Sequence, residues 1–276
     1  MEKINTEPGI HPPRVLATDL DGTLIPLPDT PEHAQALARI RVARRTQSFQ
    51  LIFATGRHFE SVLDALDSHR LPHPDWIICD VGTSIYHADG NGFAPHTPYQ
   101  AALRDIVKQH DRHAIETLLT DLPNLTLQCA AHQREFKISY ECAPEHTEGL
   151  VQDINQRLTQ QHIPYEAAGS IDPFLHCGLI DLLPAGTSKA FALQWLASHA
   201  DFHPDEVIYA GDSGNDLPAL TCGFRAIVVA NASKGLPETV RDRLTRNGIP
   251  QRAFYATETA TAGVLQGCQH FGLIPA

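Results

Sequence analysis

Three short apolar runs, RVLATDL (14–20), FQLIFATG (49–56) and WIICD (76–80), constrain the fold more than any other feature of the chain. Each is bounded by turn-forming residues, and stretches of helical character, 31–47 and 59–70, separate them. Runs that stay apolar throughout, instead of alternating, suit strands buried on both faces. Strands of that kind alternating with helices predict a parallel sheet covered on both sides. The first helix has Thr30 in the N-cap position and Pro31 at its first residue, where a missing N–H costs nothing.

The rhythm then changes. SIYHADGNGFAPH (84–96) reads as a hairpin around Asp89-Gly90-Asn91-Gly92. A helix near 99–120, strands LTLQCA (125–130) and FKISYE (136–141), a helix over 145–162 and the extended stretches YEAAG and LHCGLIDLLP follow. Paired strands with single helices describe an α+β unit. After Pro184 the first rhythm returns: helix 187–199, strand EVIYAG (206–211), a short helix near 216–222, strand AIVVAN (226–231), helix 237–246, strand AFYAT and a helix near 260–271. The expectation is a doubly wound, mostly parallel α/β sheet core over 1–91 and 184–276, with an inserted α+β cap domain at 92–183. An insertion so long is seldom structureless, and between two strands it forms a natural lid over their carboxyl ends, where open α/β sheets bind ligands.

Composition removes several function classes. A hydrophobic fraction of 42% with 19% charged residues is that of a globular protein. A net charge of −11 argues against nonspecific binding of nucleic acid or an anionic membrane. No run approaches the roughly 18 apolar residues of a membrane span, and Met1–Pro8 lacks the apolar core of a signal peptide. The cysteines, at 79, 129, 142, 177, 222 and 268, form no C-x-x-C pair and read as reduced thiols of a cytoplasmic protein. The sixteen histidines are scattered; the nearest approach to a ligand pair, His110 and His113, reads as a solvated helix surface.

Four polar features fall at the carboxyl ends of the core strands or on helix starts beside them: Asp19 and Asp21 after the first strand, Thr55-Gly56-Arg57 after the second, Lys189 in the first turn of the returning helix, and GDSGND (211–216). Each has an ordinary reading. Asp21-Gly22 makes a turn, Thr55-Gly56 a strand exit, Lys189 a surface charge, and Asp216 a helix N-terminal carboxylate. GDSGND does not fit the G-x-S-x-G elbow of serine hydrolases, and no phosphate-cradling G-x-x-x-x-G-K-[ST] loop is present. The joint placement defeats the ordinary readings. It would bring Asp19, Asp21, Asp212 and Asp216 to one rim of one sheet, with period-two geometry turning Asp19 and Asp21 to the same side. Carboxylates so crowded repel one another unless a cation lies between them, and hard oxygen donors select Mg²⁺. A metal there also lets an acidic protein hold a phosphate.

DxDGT, T-G-R, a distant lysine and GDxxND, in this order, resemble the haloacid dehalogenase superfamily of phosphohydrolases, whose core is Rossmann-like. The resemblance implies that Asp19 is the nucleophile and passes through an aspartyl-phosphate. Asp21 would protonate the leaving alcohol and later activate water, in an environment favouring proton exchange near neutrality. Thr55, the Gly56 amide and Lys189 would hold phosphoryl oxygens, with Arg57 and Asn215 among the substrate-binding residues. Mg²⁺ would be ligated by Asp19, the main-chain carbonyl of Asp21 and Asp212, with Asp216 orienting a metal-bound water.

DVGTSIY (80–86), REFKISYE (134–141), IDLLPAGTSKAFALQWL (180–196), GDSGND and VVANA (228–232) are similar to stretches of sucrose-phosphate phosphatases and relatives acting on phosphorylated disaccharides. Gly22 departs from that subgroup, which often carries a bulkier residue there. The similarity implies a phosphorylated sugar as substrate, sucrose 6-phosphate first, with Lys137 and Ser139 as sugar contacts on the cap, and admits a glycosyltransferase as pathway partner. Three alternatives stay open: a phosphosugar mutase, a phosphatase for another sugar or disaccharide phosphate, and a non-catalytic sugar-phosphate sensor.

Overall fold

A computed structural model describes residues 11–90, 92–108, 110–171 and 176–276. The readings made above on Met1–Pro8, Asn91, Gln109 and Leu175 lie outside the described residues. The chain divides into two compact units, Met1–Pro95 with Ser188–Ala276, and His96–Thr187. No helix among the described residues is long and apolar enough to cross a membrane.

The first unit is an α/β layer structure. Its strands are β1 (Val15–Thr18), β2 (Gln50–Ala54), β3 (Trp76–Cys79), β4 (Ser84–Ala88), β5 (Phe93–Pro95), β10 (Val207–Gly211), β11 (Arg225–Val228) and β12 (Ala253–Tyr255). They form one sheet in the order β12-β11-β10-β1-β2-β3-β4-β5, parallel from β12 to β3 and antiparallel from there to β5. β1 and β10 are buried along their whole length, as their unbroken apolar runs require. Helices α1 (Pro31–Thr46), α2 (Phe59–Ser68), α6 (Lys189–His199), α7 (Leu217–Thr221), α8 (Leu236–Arg246) and α9 (Ala260–His270) cover the sheet. Leu16, Leu51, Phe53, Ile77, Ile208 and Ile227 are fully buried in one core cluster with Ile40 of α1 and Val264 of α9.

The strand order reverses at β1. From β1 the chain steps outward to β2 and β3, then returns on the other side through β10, β11 and β12. The carboxyl ends of β1 and β10 therefore flank the crevice where ligands settle in sheets of this kind.

The second unit carries a four-stranded antiparallel sheet in the order β6 (Thr126–Leu127), β7 (Ile138–Cys142), β9 (Gly178–Pro184), β8 (Tyr165–Ile171). Helix α5 (Thr147–Gln160) packs on it, and α3 (Thr97–Val107) and α4 (Arg112–Leu119) belong to the same unit.

Several local expectations are corrected. The hairpin strand β5 pairs with β4 in the first unit's sheet, which moves the division from 91/92 to 95/96. On the return, Ala185 and Thr187 bond back to Pro164 and Pro184, which moves the second division from 183/184 to 187/188. Thr30 makes no side-chain cap bond; its hydroxyl donates to the Pro28 carbonyl instead. The helix expected over 99–120 is two helices, broken where Lys108 takes φ +47°, and His110 lies in their connection, not on a helix surface.

Residues 80–82 take φ of +50°, +59° and +105° in succession, and close the sheet against the start of α6. A Cβ at Gly82 would lie 2.3 Å from the Ser188 carbonyl oxygen, one residue before Lys189. Gly82→Ala is expected to cost about 2–5 kcal/mol, combining left-handed strain with backbone overlap. Gly90→Ala is the comparison: its φ is +86°, but a Cβ there meets nothing within 4 Å, so only the strain remains. Urea unfolding of the two variants checks this; equal losses would show that the contact with Ser188 is not what excludes a side chain.

Candidate active site

The site is built at the β1/β10 crevice. β1 stops at Thr18, and the Asp19 N–H still bonds to the Ala210 carbonyl at 2.9 Å, so Asp19 rides on the end of β10. Residues 20–24 then make one wide turn in which Leu24 N–H reaches back to Asp19 O and Ile25 N–H to Leu20 O. Gly22 in this turn has φ +72°, and a Cβ on it would lie 2.5 Å from Asp212 Oδ2. Only glycine permits so close an approach of this turn to the loop after β10.

Three carboxylates meet there. One oxygen each of Asp19, Asp212 and Asp216 lie within 4.8 Å of one another. Lys189, fully buried, enters from the first turn of α6; its Nζ is 3.1 Å from Asp19 Oδ1 and 2.7 Å from Asp216 Oδ1. Asp216 is saturated. Its Oδ1 also accepts the Tyr209 hydroxyl at 2.6 Å, and its Oδ2 accepts the N–H groups of Asp212 and Ser213 and the Ser213 hydroxyl. Asp19 is held on one side only: Oδ1 accepts the Leu20 N–H at 2.8 Å and faces Lys189, while no hydrogen bond is made to Oδ2 among the described residues. Asp212 Oδ1 accepts the Thr23 hydroxyl at 2.7 Å.

The electrostatics follow from this arrangement. Burial pushes the Asp19 carboxyl up to about 8, against the pull of Lys189 and with the push of Asp216. Burial likewise lifts Asp212 to about 6. Burial opposes ionisation of Asp216 as well, but Lys189, Tyr209 and Ser213 outweigh it and hold this carboxyl below its ordinary value. Burial disfavours the Lys189 ammonium, and Asp19 and Asp216 more than offset that, raising it. Asp216 and Lys189 are thus a buried ion pair, whereas Asp19 and Asp212 bear charge reluctantly. A hard divalent cation against the free oxygens of Asp19 and Asp212 would relieve that strain, so the donor set suits such an ion.

The remaining expected residues are distributed unevenly. Asp21 does not join the carboxylate cluster. The strand has already ended, the pleat does not extend to residue 21, and the side chain is 57% exposed. Its two oxygens are taken by Arg57, whose Nε and Nη2 donate to them at 2.6 Å each. Arg57 is therefore committed to a carboxylate, with Nη1 on Ser61. Thr55 is buried beyond the end of β2, and its hydroxyl accepts the Arg57 N–H at 3.1 Å. Gly56 faces the fourth motif: a Cβ on it would lie 4.0 Å from Asn215 Nδ2. Lys137 and Ser139 lie in the second unit, on or beside β7. Ser139 is buried and donates to Asp181 Oδ1 at 2.6 Å, and Lys137 Nζ is 3.8 Å from Asp181 Oδ2.

Thr23, Tyr209, Asn231 and Asp181 also bond within these polar groups, beyond the residues expected from the sequence. Asn231 Nδ2 donates to the Gly22 carbonyl at 2.7 Å, and its Oδ1 accepts the Ala260 N–H at 2.7 Å, so it ties the turn after Asp19 to the start of α9. Thr23 and Asn231 were visible within DLDGTL and VVANA. Tyr209, in the middle of an apolar strand, carried no signal beyond core packing.

The family match and relatives of the chain show that it is a phosphoric monoester hydrolase of the haloacid dehalogenase superfamily. Residues 12–272 match the family of sucrose-6F-phosphate phosphohydrolases, and the chain belongs to that family. Among relatives, a protein of Nitrosococcus oceani described as HAD-like hydrolase is 32% identical over 93% of this chain and 71% of its own length. Mannosylfructose-phosphate phosphatase of Agrobacterium fabrum is 29% identical over 96% of this chain and 100% of its own. Sucrose-phosphatase 1 of Nicotiana tabacum is 27% identical over 95% of this chain, which spans 60% of the tobacco protein. The structure of a sucrose-phosphatase from Synechocystis, in complex with sucrose and phosphate, superposes with a TM-score of 0.77 at 24% identity, covering 96% of this chain and 100% of that one.

Lys189→Met removes the only cation that touches Asp19 and Asp216 among the described residues. The expected result is a stability loss of about 3–5 kcal/mol from uncompensated buried carboxylates, with phosphatase turnover reduced by about 10²-fold or more. Denaturant unfolding and phosphate release measure the two; unchanged stability would mean the ion pair is dispensable.

Proposed function

We propose that this protein is a cytoplasmic, Mg²⁺-dependent phosphatase that hydrolyses a phosphorylated disaccharide, sucrose 6-phosphate first, through an aspartyl-phosphate on Asp19. One observation carries the reading. Lys189 and the Leu20 amide hold Oδ1 of Asp19, no hydrogen bond is made to Oδ2 among the described residues, and one oxygen of this carboxylate lies within 4.8 Å of one of Asp212. A carboxylate pinned by one oxygen presents the other as a nucleophile in a fixed direction.

In the first half-reaction, Oδ2 of Asp19 bonds to phosphorus while the bond from phosphorus to the sugar oxygen breaks. The Asp21 carboxyl supplies the proton that the leaving oxygen needs. In the second, Asp21 takes a proton from water as its oxygen bonds to phosphorus, and the acyl-phosphate bond breaks to free Asp19 and phosphate. Asp21 must first leave its two-point pair with Arg57, so phosphate and Asp21 compete for that guanidinium. Thr55, the Gly56 amide, Asn215 and Lys189 bind the phosphoryl oxygens. Asp19, Asp212 and the Asp21 carbonyl would hold Mg²⁺, which neutralises phosphoryl charge when bound. Asp216 acts from behind, through its hold on Lys189 and on the loop that carries Asp212.

The inserted unit, in this reading, is a cap domain that recognises the sugar. Its Lys137, Ser139 and Asp181 form a connected polar group of the kind that binds sugar hydroxyls. Support for a disaccharide comes from the family and from relatives that act on sucrose phosphate or mannosylfructose phosphate. The six cysteines, all free thiols, accord with a reducing compartment.

Purified protein is expected to release phosphate from sucrose 6-phosphate faster than from hexose monophosphates, to stop in excess EDTA, and to recover with Mg²⁺. Isomerised sugar phosphate without free phosphate would identify a mutase instead. Asp19→Asn is expected to lower kcat by about 10⁴-fold or more while the unfolding midpoint is kept; ordinary turnover in that variant would remove Asp19 as nucleophile. Lys137→Met is expected to raise KM for sucrose 6-phosphate about tenfold with kcat little changed, and an unchanged KM would remove this lysine from sugar recognition.

A further inference from the structure

At the amino ends of the core strands, the edge opposite the carboxylates, lies a cavity of about 550 Å³. It is lined by Arg41, Arg44 and Arg45 of α1, by Arg70 just beyond α2, and by the buried residues Leu71 and Pro72. Asp75 is the one acidic residue of the lining, and its charge is already matched. Arg44 Nη2 contacts both its oxygens at 2.6 Å, and the Leu51 N–H donates to Oδ2 at 2.7 Å. Arg41, Arg45 and Arg70 have no acidic partner among the described residues.

Helix ends do not account for so much cation. The carboxyl termini of α1 and α2 open here, and each presents about half a negative charge. Three unpaired guanidinium groups against two such ends leave about two positive charges in the cavity. In a chain of net charge −11 this is a local reversal of sign. Guanidinium groups match phosphate oxygens in geometry as well as charge, and the apolar surface of Leu71 and Pro72 lies in the same concavity.

We propose that this cavity is a second anion site, separate from the catalytic carboxylates, that takes a small phosphate-bearing molecule on Arg41, Arg45 and Arg70. The shared chemistry is a phosphate dianion, either free or as a monoester whose organic part covers Leu71 and Pro72. Because the site lies wholly within the core unit, it does not depend on which sugar the enzyme hydrolyses.

Calorimetric titration of the full chain in EDTA at low ionic strength tests this, with inorganic phosphate and phenyl phosphate as the two probes. The expected result is saturable binding that the combined R41Q/R45Q/R70Q substitution weakens by about tenfold or more. The same variant is expected to keep its turnover of sucrose 6-phosphate within about twofold, since none of the three residues belongs to the catalytic group. R70Q alone, at an exposed side chain, weakens binding about threefold and serves if the combined variant does not fold. Tighter binding of phenyl phosphate identifies a monoester, and equal binding identifies free phosphate. Affinity unchanged by the substitutions, or no saturable binding of either probe, overturns the proposal.

Discussion

The ion pair between Lys189 and two buried aspartates organises the carboxylate cluster at the ends of β1 and β10. An ammonium group with no solvent contact is costly unless anions surround it, and Asp19 and Asp216 meet that condition from opposite ends of the chain. Asp216 then does three things at once: it neutralises the lysine, caps the loop after β10, and takes the hydroxyl of Tyr209. Lys189 cannot be placed unless α6 starts where it does. The left-handed turn at 80–82 packs close against that start, so close that a Cβ at Gly82 would lie 2.3 Å from the Ser188 carbonyl oxygen.

The division of labour among the aspartates follows from their surroundings. Asp216 is fully bonded and stays ionised; Asp19, buried, and Asp212, half-buried, have spare oxygens and carry charge at a cost. Asp21, two residues from Asp19, stands outside the group on an arginine. Residues of one type thus become a saturated buried anion, a pair of carboxylates with spare oxygens, and a separately held carboxylate on an arginine. Their number of hydrogen-bond partners makes the difference.

The core sheet was readable because its strands are buried on both faces and so are apolar without interruption, each run ending in polar residues where the sheet stops. Asp19, Thr55 and Asp212 could be placed at one rim from that alone, and Lys189 from the start of the returning helix beside it. The antiparallel edge was harder. Ser84–Ala88 and Phe93–Pro95 make an ordinary hairpin, and nothing local says which sheet a hairpin extends. The helix expected over 99–120 failed similarly, because Lys108 takes a left-handed conformation that its residue type does not announce.

What the order of residues determined by itself is which carboxylates and glycines stand at strand ends, which lysine opens the returning helix, and hence the family of phosphate-handling enzymes to which the chain belongs. What only the tertiary structure decided is which partner each of them has. Asp21 pairs with Arg57, Asp216 is saturated by Lys189, Tyr209, Asp212 and Ser213, Asn231 ties down Gly22, and arginines of α1 and the segment after α2 that have no acidic partner among the described residues line one cavity. Strand ends are set by local hydrophobic pattern, whereas hydrogen-bond partners far apart in the chain depend on how close two loops come. A Cβ at Gly22 would lie only 2.5 Å from Asp212, a distance that no local pattern encodes.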